Sequence, residues 1–305
     1  ILICVLMPAY AVWLAWSAGG GGRLAFVLKI IAAAAFMAFI HLVARWDWLS
    51  LYLPWLWWIA LVAVGVRSAM RVFGRERGAQ AKRAALWMVA LDPVIVIGLL
   101  VYAGLAFFHP APATDLSFPL EGGSFAVGQG GNSAATNYHN TNRSQRYALD
   151  IGAVDGLGRR ADGIQPEELE AYHIEGAPVL SPCDGEVIAA VDGIPDNAIG
   201  ETNREMPAGN HVVIACHGIE ILLAHLQNGT VRPSTGAIVS AEKPVALQRQ
   251  NRKLRNLDVM QRLVSYISDR QPQHFVVTGG DGMEAGCAFW VARGAKRRVI
   301  VWEQW

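Results

Sequence analysis

The chain has 305 residues, 53% of them hydrophobic and 17% charged, and its mean hydropathy of +0.27 is too high for an ordinary soluble globular protein. A net charge of +1, from 26 Lys and Arg against 25 Asp and Glu, argues against a nucleic-acid binder, which needs a basic excess. Four cysteines without a Cys-x-x-Cys pair exclude a disulfide framework and a zinc-finger array.

The apolar residues gather in residues 1–108, which we read as a four-span transmembrane region. The runs are Leu2 to Ser17, Leu24 to Ala44, Trp48 to Val66 and Leu86 to Phe108, each near the roughly 20 residues that a helix needs to cross a bilayer. No methionine precedes Ile1, so the first span is expected to be cut short. Between the third and fourth runs lie Arg67, Arg71, Arg75, Arg77, Lys82 and Arg83 against the single acid Glu76, which predicts a cytoplasmic loop. The fourth span then delivers the rest of the chain to the extracytoplasmic side. Trp46, Trp48, Tyr52, Trp55, Trp57 and Trp58 are expected at the outer lipid interface, where amphipathic rings settle. Asp92, beside Pro93, is either a functional intramembrane acid or a packing residue near the cytoplasmic end.

Residues 109–128 read as a linker, opening on HPAPAT, followed by a first strand. Short apolar runs then alternate with Gly, Pro, Asn and Asp: Phe125 to Val127, Ala177 to Leu180, Gly185 to Val191, His211 to Cys216, Ile219 to Ala224 and Ala237 to Val239. Such spacing predicts an all-β sandwich or barrel-like domain. The polar stretch Arg159 to Tyr172 suits a surface excursion of one or two helical turns.

Candidate chemistry lies at strand ends. In NYHNTNRSQRYALDI, from Asn137 to Ile151, an apolar YAL run leads from His139 into Asp150. An imidazole and a carboxylate brought together there would supply two of the three protein ligands of a catalytic zinc site; the same pair could equally be a hydrogen bond. In HVVIACHGIEILLAHL, His211, His217 and His225 flank two strands, and the plain interpretation is a β-hairpin with solvated histidines, His217 in its turn. Cys183 and Cys216 could pair in an oxidising compartment or serve as small buried apolar groups.

Asn137 to Ile151, APVLSPCDGEVIAAVDG from Ala177 to Gly193, and AGNHVVIACHGIEILLAHLQNGTV from Ala208 to Val231 together resemble the lysostaphin/LytM-type zinc metallopeptidase domain. The resemblance covers residues 129–245, with its motifs in the family's order. It implies a barrel-sandwich-like β-domain built as a duplicated hybrid motif, and a Zn2+ cofactor held by His139 and Asp150. It also implies that His225 is the catalytic histidine beside the metal. The implied substrate is a peptide cross-bridge of bacterial peptidoglycan, cut by a multi-pass protein of the cell membrane whose C-terminal domain is extracytoplasmic. The expected partners are therefore the lipid bilayer and a peptidoglycan peptide, without nucleic acid.

One family feature is missing. The His-x-His motif that would supply the third ligand and a second catalytic histidine occurs nowhere in the chain. Residues 246–305 change character instead, and from 247 onward hold ten Lys and Arg against five acids. Three accounts stand: a shifted reading frame near Ala246, His274 as a substitute ligand, or a non-catalytic domain that binds peptidoglycan or a partner. Arg249 to Arg270 has the spacing of an amphipathic helix, foreign to the family's all-β core. Without the family's last strands, an unpaired sheet edge is expected.

Overall fold

The computed structural model describes residues 2–20, 22–74, 83–108, 113–143, 145–197, 203, 205–249, 251–253, 274–278, 280–282 and 298–302. Four helices come first: α1 (Leu2–Ser17), α2 (Arg23–Val43), α3 (Leu53–Phe73) and α4 (Arg83–Gly104). With their flanking turns they present four segments, Leu2–Gly20, Arg23–Val43, Leu53–Phe73 and Ala90–Phe107, each long and apolar enough to cross a membrane. At 1.5 Å per residue a 21-residue helix rises about 31 Å, the thickness of a hydrocarbon core. Leu56, Val62, Met70 and Val94 point outward, more than 60% exposed, a surface that suits hydrocarbon. Inside, Ala11, Ala15 and Ala33 pack with Met37 and Leu61, small side chains that let the helix backbones approach.

The third helix begins at Leu53, five residues later than expected. Trp46–Trp48 instead form a tight 3-10 turn, and Pro54 in the first turn of α3 sets its start. Trp46 and Trp48 are 0% and 6% exposed and face protein, whereas Tyr52 and Trp55 are half exposed at the helix end.

The rest of the described chain is β-structure: β1 (Ala113–Ser117), β2 (Ser124–Gln129), β3 (Leu149–Val154), β4 (Pro178–Leu180), β5 (Gly185–Val191), β6 (Asn210–Cys216), β7 (Ile219–Leu226), β8 (Ile238–Val239), β9 (Pro244–Leu247), β10 (Asn251–Lys253), β11 (His274–Thr278), β12 (Gly280–Gly282) and β13 (Arg298–Trp302). Seven strands form one open sheet in the order β2-β3-β11-β7-β6-β5-β8; the sheet does not close into a barrel. Neighbours run antiparallel except at β11, which is parallel to both β3 and β7. The β6–β7 turn is His217–Gly218, both at positive φ, the two-residue geometry that matches strand twist and that Gly218 makes easy. A second layer, the antiparallel pair β4 and β9, brings Val179, Val245 and Ala246 against Val187, Val212, Ile214, Ile221 and Leu223 of the large sheet.

The divergent tail therefore does not leave the expected free edge between β3 and β7, because β11 lies there. The helix expected over Arg249 to Arg270 is not formed at 251–253, where β10 pairs with β12; residues 254–270 lie outside the described residues. The excursion Arg159 to Tyr172 holds a single 3-10 turn, Leu169–Ala171, and it is anchored rather than wholly superficial, with Arg160, Ala161 and Tyr172 buried.

The sheet docks on the helix ends at the α2–α3 turn. Asp47, 3% exposed, accepts hydrogen bonds from Arg45 Nε at 3.0 Å, Arg45 Nη2 at 2.8 Å and Arg160 Nη1 at 3.1 Å. Burial opposes ionisation of this carboxyl, but the two guanidiniums outweigh it and hold the pKa at about 2. Arg160 also lies over the Trp48 ring, its Cζ 4.7 Å from the centroid. Beside this triad the Leu51 N–H donates to Gly158 O, the Ser50 hydroxyl to Leu157 O and the Asn132 N–H to Ala106 O. Ala126 and Val154 of the sheet share an apolar cluster with Ile40, Val43, Trp46 and Leu51.

Candidate functional site

The loop before β3 is tied down by Asn137. Its Oδ1 accepts from the His139 N–H at 3.1 Å, and its Nδ2 lies within 3.1 to 3.3 Å of the carbonyls of Gly131, Arg146 and Ala148. A short side chain that bonds nearby backbone in this way stabilises an irregular loop where neither helix nor ladder can form. The loop turns His139 back onto β3, and Asp150 meets it there.

His139 and Asp150 are 2% and 3% exposed, with Nε2 3.0 Å from Oδ1. The other ring nitrogen, Nδ1, lies 3.2 Å from Oε1 of the buried Gln145. The Tyr138 hydroxyl donates to the second oxygen of Asp150 at 3.3 Å, and its ring centroid is 4.0 Å from that of His139. Gln129 of β2, fully buried, accepts from the Tyr138 N–H at 3.0 Å. When Gln145 accepts from Nδ1–H, a neutral imidazole turns its Nε2 lone pair toward the carboxylate. A cation seated between the two would satisfy both. Two arms of a tetrahedral zinc site, each about 2.0–2.1 Å long, place their donor atoms about 3.3 Å apart, close to the spacing found here. The two donors thus fit zinc, and among the described residues no third ligand joins them.

His225 lies on β7, two strands away. Asp150 is level with Thr278 of β11, and Thr278 with Ala224 of β7, which puts Asp150 and Ala224 about 10 Å apart across the sheet. A register shift opposite Asn210 and Val212 inserts an extra residue into β7 here, and His225 takes φ +58. A bulge restarts the side-chain alternation, so Leu226 enters the same core as Leu223 although three positions separate them. Bulges re-aim side chains, and a non-glycine residue in the left-handed region is held only where the surroundings demand it. Here they do so through backbone bonds: the His225 N–H donates to Ala208 O, and His225 O accepts from the Arg249 N–H and from Gln248 Nε2.

The other histidines are dispersed. His217 is exposed in its turn, but His211 is 3% exposed rather than solvated. Its Nδ1–H donates to Gly209 O at 2.7 Å, and burial pushes its pKa below the ordinary imidazole value although that bond favours the charged form. His274 pairs with Glu220, four positions along β11 from the row of Asp150, or about 13 Å at strand rise. The register therefore does not bring His274 level with the pair.

Sequence reasoning passed over a second cluster. Asp155, Asp162 and His173 bring one ligand atom each within 4.8 Å of one another, a group able to hold a cation. Asp155, however, already accepts from the backbone N–H of Leu157 and Arg159 and from the Arg159 guanidinium. Burial works to raise the Asp155 carboxyl, but those bonds outweigh it and leave it below the usual range. Cys183 and Cys216 are joined in a disulfide, with Cα atoms 6.0 Å apart, tying the turn before β5 to the end of β6.

Compared with family models, with curated proteins and with solved structures, the chain matches none.

Proposed function

We propose that the chain is a membrane-anchored zinc metalloendopeptidase-like protein of the lysostaphin/LytM type that acts on peptide cross-bridges of bacterial peptidoglycan. The observation that carries this reading is the buried convergence of His139 Nε2 and Asp150 Oδ1 at 3.0 Å, at the end of a strand and inside the motifs that resemble that family. His139 and Asp150 would hold the metal. Bound zinc would supply a water with a pKa near 7 and polarise the peptide carbonyl. Gln145 orients the His139 ring through Nδ1, and the Tyr138 hydroxyl occupies Oδ2 of Asp150, leaving Oδ1 to face the imidazole. His225, held by its bulge, is the group assigned to accept a proton from the attacking water and to steady the oxyanion. The reading carries with it the barrel-sandwich arrangement of that family.

In this proposal the basic segment from Arg67 to Arg83 lies in the cytoplasm and the β-domain faces the cell wall. The Cys183–Cys216 disulfide supports that side, because such bonds persist in oxidising compartments. A second reading is favoured by the missing third ligand among the described residues: the domain keeps the scaffold and binds peptidoglycan without cutting it.

Zinc content of the full chain in detergent, measured beside a His139→Ala variant, tests the proposal, followed by digestion of purified peptidoglycan with the same samples. Stoichiometric zinc that disappears in the variant, together with released peptide fragments, supports the enzyme. A folded chain without zinc rejects it, and sedimentation with insoluble peptidoglycan then decides the binding role.

A further inference from the structure

At the end of the helices opposite the β-domain, cations pair with aromatic rings, and among the described residues no acid joins them. Arg67 and Arg71 of α3 both stack on Trp16 of α1, with Cζ 4.9 and 4.7 Å from the ring centroid. Arg23 at the start of α2 lies over Phe73, 5.3 Å from its centroid. Segments 2–20, 22–43 and 53–74 contain no Asp or Glu at all. Two contacts hold the α1 and α3 ends together: the buried Ser68 hydroxyl lies 3.5 Å from Trp16 O, and Gly19 leaves α3 room to approach, since a Cβ there would sit 3.4 Å from Ser68 Cα and Arg71 Cδ.

We propose that Arg67 and Arg71, stacked on Trp16, form a binding site for the phosphate of an anionic phospholipid. A guanidinium held over an aromatic ring can still grip phosphate oxygens bidentately through its N–H donors. Arg67 and Arg71 lie four positions apart on α3, one above the other on the same helix face, so they can act on one headgroup. The occupant is a lipid rather than a soluble anion because of what flanks the arginines on α3. Val66, Met70 and Phe73 are 55%, 65% and 51% exposed, an apolar surface for the acyl chains beside a cationic site for the head. The site stands apart from the chemistry of the β-domain and does not depend on it.

Native mass spectrometry of the full chain, released from mixed micelles with equal phosphatidylglycerol and phosphatidylcholine, tests the assignment. Phosphatidylglycerol should be retained about thirty-fold over phosphatidylcholine, as expected for two interfacial arginines. The Arg67→Gln, Arg71→Gln double variant should lose that preference, whereas Arg67→Lys, Arg71→Lys, which keeps both charges and the helix surface, should retain part of it. Equal retention of the two lipids by the native chain overturns the site. So does an unchanged preference in the glutamine variant, and so does a lysine variant no better than the glutamine one.

Discussion

Asp47→Asn is the most informative single change. It keeps the side-chain volume and removes the carboxylate that pairs with two guanidiniums, themselves 7% and 4% exposed. The carboxylate's interaction with its neighbours can be worked from its pKa. A fall from 3.8 to about 2 corresponds to roughly 2–3 kcal/mol for a group that is fully buried and little screened. Asparagine is the neutral analogue of the protonated acid, so its cost is of the same order, at or somewhat above the lower end of the roughly 3–5 kcal/mol found when one partner of a buried ionic cluster is removed. Because the folded-state pKa lies below the unfolded one, the stabilisation is complete above about pH 4 and disappears as the pH falls through about 2. The assay is equilibrium unfolding of the full chain in detergent, followed by the fluorescence of Trp46 and Trp48, which the contact buries. A triple variant, Arg45→Met with Asp47→Leu and Arg160→Met, is the control, since replacing a whole buried ionic cluster by apolar groups of similar size is near neutral or stabilising. A loss below about 1 kcal/mol for Asp47→Asn, or a triple variant less stable than the single one, refutes the argument.

Three further outcomes follow from the geometry. Replacing Cys183 and Cys216 together by serine should cost about 4 kcal/mol for a closed loop of this span, with the separation being 33, seen as a lower unfolding midpoint that reductant no longer shifts. Gly158→Ala places a Cβ 2.6 Å from Leu51 Cβ at φ +69, so a loss of about 1–3 kcal/mol and faster proteolysis of the 155–160 turn are expected; wild-type resistance would show that the contact gives way. Gln145→Ala frees Nδ1 of His139 and should weaken zinc binding about 10–100-fold in a chelator competition, with Gln145→Glu restoring it; equal affinity in all three would remove Gln145 from the site.

How much of this was legible in the residues alone depends on the range of the interaction. Helix length and apolar content are local quantities, so the four segments long and apolar enough to cross a membrane could be read before any fold was known. Short apolar runs bounded by turn residues are local too, and Gly185–Val191 formed as read, while Ile219–Leu226 ran two residues further. The meeting of His139 with Asp150 was suggested by an apolar run leading into the acid, but not Gln145 and Tyr138 as its partners, although both lie in the same quoted segment. Their roles depend on a loop closed by Asn137, whose bonds link residues up to eleven positions apart.

Other features had no local signal. Arg45, Asp47 and Arg160 are unremarkable as charges in a turn and an insert; only the docking of the sheet on the helix ends, 113 residues apart in sequence, makes them one buried cluster and moves Trp46 and Trp48 from lipid to protein. The bulge at His225 and the parallel insertion of β11 between β3 and β7 are matters of register, which partner strands set and composition does not. Composition thus determined that the chain opens with helices long and apolar enough to cross a membrane and continues as β-structure. Tertiary structure alone decided which polar groups share a buried space, because burial and pairing are properties of neighbours in space and not of neighbours in sequence.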